Sequence, residues 1–94
     1  MEGFVLIQTE FGRAGDVARR ISALDGILTV EAVTGAYDVL ARAGRNSERE
    51  LVHCLEEEIA SIPGVTRVLV CPLASHGRIW ELGPERLALA GVMG

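Results

Sequence analysis

Apolar residues recur along this chain in two alternating rhythms. Ala14, Val17, Ala18, Ile21 and Leu24 follow helical steps, with Arg13, Asp16, Arg19 and Arg20 off the stripe. This spacing predicts a helix over about residues 13–24. A second stripe, Leu51, Leu55, Ile59 and Ile62, is opened by Ser47-Glu48-Arg49-Glu50, a capping box in which the Ser47 hydroxyl and the Glu50 carboxylate each meet an unpaired backbone N–H. Pro63-Gly64 stops it, because proline drives Ile62 out of helical geometry and glycine permits the turn. Around these stripes lie runs rich in β-branched and other apolar residues, at 4–9, 27–34, 38–43 and 65–71, which predict strands.

The resulting order, βαββαβ, is an internal repeat. Ile21, Leu24, Gly26, Ile27, Val30 and Ala32 recur 38 positions later as Ile59, Ile62, Gly64, Val65, Val68 and Val70. Each half reads helix, glycine, strand. With the middle strands joined by the short Gly35-Ala36-Tyr37 connection, the repeat predicts an α+β, ferredoxin-like βαββαβ sandwich: a four-stranded antiparallel sheet with two helices on one face.

Successive side chains of a strand point to opposite faces, so a sheet with one wet face alternates apolar with polar. These strands do not alternate cleanly. Phe4 and Leu6 oppose Val5 and Ile7, Val39 and Ala41 oppose Leu40, and Val68 and Val70 oppose Leu69 and Cys71. Two helices cover one face only. Four strands at about 4.8 Å spacing and roughly 20 Å length leave a second face of about 400 Å², near the limit that soluble monomers expose. Burying it is worth at most roughly 10 kcal/mol per subunit at about 25 cal/mol per Å². The pattern therefore predicts an obligate homo-oligomer, a two-fold dimer with its sheets stacked face to face.

Length and charge narrow the picture. A chain of 94 residues holds one domain, and 49% hydrophobic with 23% charged residues is too apolar for disorder. The net charge of −4 has the wrong sign for a surface that neutralises phosphates, so direct nucleic-acid binding is not expected. No apolar run is long enough to span a membrane, and Met1-Glu2-Gly3 lacks the basic lead of a signal peptide, so the expected location is cytoplasmic. Cys54 and Cys71 lack metal or disulfide spacing and read as buried thiols.

Candidates for catalysis are sparse. His53 and His76 stand far apart, and no second His or carboxylate joins His53 at metal spacing, so it reads as a surface or partner-contact residue. Glu56-Glu57-Glu58 reads as a solvated helix face. No metal, cofactor or catalytic group is expected, and the chain is not read as an enzyme. Thr34-Gly35-Ala36-Tyr37-Asp38 offers more. Gly35 permits positive φ and close approach, Tyr37 supplies an amphipathic ring and Asp38 a carboxylate. Backbone N–H groups at such a glycine hold a carboxylate and an aspartate holds an ammonium group, a pairing that fits a free α-amino acid. The plainer reading of the same residues is a hairpin turn.

These residues carry a resemblance. Ile21 to Gly26 running into a strand, then Val33-Thr34-Gly35-Ala36-Tyr37-Asp38-Val39, and later Ile62-Pro63-Gly64-Val65-Thr66-Arg67 closing into Val70-Cys71-Pro72, resemble the effector-binding (RAM) domain of the Lrp/AsnC transcription regulators. The resemblance covers about residues 3–73. It implies a sandwich that dimerises through its sheets, assembles into octamers or related rings, and binds an amino-acid effector between subunits. By the same resemblance Thr34, Gly35, Tyr37 and Asp38 are the leading effector contacts, Gly35 and Asp38 first, with Ser61 and Thr66 as secondary ones. Full-length members carry an N-terminal helix-turn-helix, whereas here the first strand begins within a few residues of Met1. The resemblance is thus to a stand-alone form without a DNA-reading part, expected either to sense an amino acid and modulate a full-length Lrp/AsnC regulator by co-assembly or to act on something else.

Beyond Pro72 the resemblance fades, dividing the chain into an effector-binding domain at 1–73 and an extension at 74–94. In the extension Arg78-Ile79-Trp80-Glu81-Leu82 reads as a fifth strand and Leu87-Ala88-Leu89-Ala90 as a short helix, apolar enough to pack along its own subunit or to cross to a neighbouring one, the crossing being the favoured reading. Two other functions stand beside the sensor. One is a dimeric α+β barrel enzyme, similar in topology to small monooxygenases, although no strand carries a central His and aromatic residues total 4%. The other is a structural assembly domain in which Tyr37 and Asp38 close an interface.

Overall fold

The computed structural model describes residues 1–74. The expected fifth strand, short helix and subunit crossing of the extension, and His76, lie outside the described residues. The elements are β1 (Glu2–Thr9), α1 (Ala14–Ser22), β2 (Ile27–Ala32), β3 (Val39–Gly44), a π-helical turn (Glu50–Cys54) running into α2 (Leu55–Ala60), and β4 (Val65–Pro72). The strands form one antiparallel sheet in the order β2-β3-β1-β4. This is the βαββαβ arrangement that the repeat predicts.

The core follows from that order. The two central strands supply Val5, Ile7, Val39, Ala41 and Ala43, and the helical segments close over them with Val17, Ile21, Leu51, Leu55 and Ile59, all fully buried. The edge strands contribute only partly buried side chains, among them Val30, Val68 and Val70, because each has a neighbour on one side alone. The predicted stripes are the buried faces of the helices. Their exposed faces carry ion pairs such as Arg20 Nε to Asp16 Oδ2 at 3.3 Å, which add little stability.

The repeat is visible atom by atom. After each helix the backbone turns through the same bonds, Leu24 N–H to Ile21 O and Ile27 N–H to Leu24 O in the first half, Ile62 N–H to Ile59 O and Val65 N–H to Ile62 O in the second. Gly26 and Gly64 hold φ of +85° and +97°, the left-handed region that disfavours any side chain. One residue into each following strand the register slips. Ile27 faces Ala43 but Thr29 faces Arg42, and Val65 faces Thr9 but Arg67 faces Gln8. Leu28 and Thr66 are therefore the extra residues of two β-bulges, again 38 positions apart.

Several expectations change at the edges of elements. β2 stops at Ala32 rather than reaching residue 34, and β3 starts at Val39, because Asp38 is taken up in the turn. The Ser47 half of the capping box is made, its Oγ accepting the Glu50 N–H at 3.2 Å, and the helix then opens with the wide Glu50–Cys54 turn. Cys71 is exposed and Cys54 half-buried, so neither is the buried thiol expected. Cys71 sits opposite Phe4, on the face away from the helices. That face also carries Leu6, Leu40 and Leu69, with Phe4 and Leu69 about 40% exposed.

Candidate functional site

The six candidate residues collect at one end of the sheet, where β1 finishes and β3 and β4 begin. There Ile7 faces both Val39 and Val68, Gln8 faces Arg67 and Thr9 faces Val65. The 34–38 segment is a hairpin loop closed by Val33 N–H to Asp38 O at 2.9 Å. Two bonds fasten it to β1 on the inner side. The Asp38 N–H donates to Ile7 O at 2.9 Å, and the Asp38 carboxylate Oδ2 accepts the Thr9 N–H at 2.8 Å. Thr9 stands at the register slip, where the β-ladder is interrupted, so the carboxylate serves a backbone donor there.

A third bond holds the loop tip, Gln8 Nε2 donating to Ala36 O at 2.8 Å. Sequence reasoning missed Gln8. Its signal was parity, since it follows Phe4 and Leu6 as a polar residue on the same strand face. Gly35 is exposed at φ +126°, and a Cβ placed there would meet no atom within 4 Å. The glycine is needed for its backbone conformation, while the space before it is open to another molecule. Thr34 is exposed and Tyr37 half-buried.

Ser61 and Thr66 lie at the same end, across β1 from the loop. The Ser61 hydroxyl donates to Glu58 O at 2.8 Å, and Thr66 is the exposed bulge residue of β4. Two strand spacings, about 10 Å, separate β4, which carries Thr66, from β3, which the loop enters. The structure thus brings Thr34, Gly35, Tyr37 and Asp38 together and leaves Ser61 and Thr66 as a second group on the same rim. What the loop offers chemically is a glycine tip, a phenol and one carboxylate oxygen beyond the Thr9 bond.

The opposite end of the sheet is closed by Arg45. Its guanidinium bonds both Glu58 carboxylate oxygens, at 3.0 and 3.2 Å, and donates from Nε to Asp25 O at 2.8 Å. Its side chain is 10% exposed. The Glu58 hydrogen bond raises its pKa above the already high arginine value, against the opposing pull of desolvation. Glu58 is therefore a sheet-to-helix tie, in contrast to Glu56 and Glu57, which keep the solvated role expected of all three. A polar hollow of about 280 Å³ beside Arg45 is lined by Asp25, Gly26, Asn46 and Glu50 among others. His53 faces a separate open concavity of about 550 Å³ with Glu48, Arg49 and Glu57. The candidate residues line neither.

The fold defines the class, a small α+β domain of the ferredoxin-like type. The family described as the Lrp/AsnC ligand binding domain matches residues 2–73, and the chain belongs to that family. It is 37% identical over 57 residues to an uncharacterised HTH-type transcriptional regulator of Pyrococcus furiosus, a match covering 61% of this chain and 35% of that protein. The chain thus spans about a third of that curated relative. Among solved structures, a protein of Thermus thermophilus superposes with a TM-score of 0.72 at 28% identity, covering 82% of this chain and 98% of that one. A transcriptional regulatory protein from Pyrococcus furiosus, a member of the AsnC family, gives 0.65 at 25% identity, covering 82% of this chain and 52% of that one.

Proposed function

We propose that the chain is a ligand-sensing regulatory domain which binds an amino acid or related metabolite where subunits meet, and which passes that binding on as a change of assembly or through a transcription-regulator partner. The observation that carries the reading is the 34–38 loop. It is fastened to β1 from within by Asp38, while its Gly35 tip faces open space, in a chain whose outer sheet face has an apolar centre left uncovered among the described residues. A second subunit stacked on that face would supply the other wall. In this arrangement Gly35 and Tyr37 receive the ligand's carboxylate and side chain, and the free Asp38 oxygen its ammonium group.

Coupling follows from ligand contacts to two chains at once. Such a ligand shifts the oligomer equilibrium only by its differential affinity for the two states, about 1 to 3 kcal/mol in a useful switch. Native mass spectrometry with and without an amino-acid mixture tests this. The expected result is bound amino acid together with a shift in stoichiometry. Asp38→Asn keeps an oxygen for the Thr9 N–H and removes the charge, so it should abolish binding without unfolding the loop. A folded oligomer that takes up no amino acid at millimolar concentration removes the sensing claim.

One observation favours a second reading. The Ala36 carbonyl and one Asp38 carboxylate oxygen are already engaged by Gln8 and Thr9, as a purely structural hairpin would have them. In that case Asp38→Asn changes nothing but stability.

A further inference from the structure

Among the described residues the outer sheet face carries four charged side chains, of which two balance each other. Arg42 reaches across to Glu2, with Nη2 2.6 Å and Nε 3.1 Å from Oε1. Glu31, on edge strand β2, and Arg67, on edge strand β4, are exposed and have no ion-pair partner among the described residues. The sheet order puts three strand spacings, about 14 Å, between those edges, so the two do not meet within one chain.

The register gives their positions on the face. One row across the sheet reads Glu31, Leu40, Leu6 and Leu69, and the row nearer the start of β1 reads Thr29, Arg42, Phe4 and Cys71. Arg67 belongs to the row on the other side, beside Gln8. The leucines and Phe4 form an apolar centre, flanked by a negative edge and a positive one. Two stacked copies related by a two-fold axis across the strands would lay β2 on β2 and β4 on β4, setting Glu31 against Glu31 and Arg67 against Arg67. An axis along the strands lays β2 over β4 instead. The apolar centre meets itself in both cases, so the charges decide between them.

We propose that Glu31 pairs with Arg67 of the partner subunit, twice per dimer, and that these two pairs fix the two-fold axis along the strands. The inference rests on the sheet-to-sheet dimer proposed above and adds which residues orient it. Sheets about 10 Å apart, with an offset of one row, about 7 Å, leave a gap that a glutamate and an arginine span together.

The test is a charge swap in the full chain, read by sedimentation equilibrium, with circular dichroism confirming the fold. Glu31→Arg and Arg67→Glu should each weaken the dimer at least about tenfold, as loss of a close interfacial charge pair does. The double variant should return to within about threefold of the wild type. Single variants as tight as the wild type, or a double variant no tighter than the singles, overturn the pairing and leave the dimer standing. A wild-type chain that is a folded monomer at micromolar concentration overturns the dimer and the pairing with it.

Discussion

The two ends of the sheet are built from the same unit and finished differently. At one end Gly26 leads into β2, its carbonyl accepting the Gly44 N–H at 2.8 Å. At the other Gly64 leads into β4, its carbonyl accepting the Glu10 N–H at 2.8 Å. An arginine lies over each glycine and bonds the carbonyl just before it, Arg45 to Asp25 and Arg13 to Pro63. There the likeness stops. Arg45 is nine-tenths buried, forms a two-pronged pair with Glu58, and exchanges backbone bonds with Met1 in both directions. Arg13 is 40% exposed and splits one Nη2 between Asp16 at 3.4 Å and Pro63 O at 3.3 Å. Duplicated geometry thus anchors the fold at one end, and at the other leaves a lightly held rim that carries the candidate site.

Substituting each glycine by alanine probes this asymmetry with the largest expected effect. Both hold positive φ, which costs alanine about 1–2 kcal/mol. At Gly64 the added methyl would meet only Arg13 side-chain atoms, from 3.2 Å outward, and that side chain can swing aside. At Gly26 it would run into the Gly44 carbonyl oxygen, which is fixed in the ladder, with Arg45 Nε beside it. Gly26→Ala should therefore lose about 3 kcal/mol or more and Gly64→Ala about half that. Equal losses in urea unfolding would show that the ends are held alike.

The arginines come next. Arg45→Met strands Glu58 and the Asp25 carbonyl, and the loss should be about 2 kcal/mol, reduced from a fully buried pair because Glu58 is 41% exposed. Arg13→Met should cost less than about 1 kcal/mol. The raised pKa of Arg45 sets the sign with pH. A cation held more tightly in the folded state stabilises at every pH below its unfolded value, so the difference between wild type and Arg45→Met should persist unchanged from pH 7 to pH 10. A difference that shrinks over that interval would mean another group carries it.

Much of this was legible in the chain. The 38-residue offset predicts the order of elements, both glycine turns and the helix faces, because those are set by residues within a few positions of each other. The bulges at Leu28 and Thr66 were not legible, since a bulge is defined only against the strand beside it. Nor were the roles of Glu58 and Arg13, whose partners lie 13 and 50 residues away. Cys71 misled for a related reason, because an apolar residue on the far face of a one-layer sheet is buried only when something stacks on it. At the site the sequence singled out the 34–38 segment, but not the bond that one Asp38 oxygen accepts from the Thr9 N–H, 29 positions away.

That inward bond gives the most informative prediction at the lightly held end. Asp38→Ala removes the acceptor of a part-buried backbone N–H, which should cost about 1–2 kcal/mol. Asp38→Asn keeps an oxygen in place and should lose less than half of that. Hydrogen exchange at the Thr9 amide locates the effect, with protection falling strongly in the alanine variant, slightly in the asparagine variant, and unchanged at Gly44, whose bond to Gly26 lies at the far end. If the alanine variant loosened Gly44 as much as Thr9, the two ends would open as one unit, and the rim could not adjust to a ligand without unfolding the anchor.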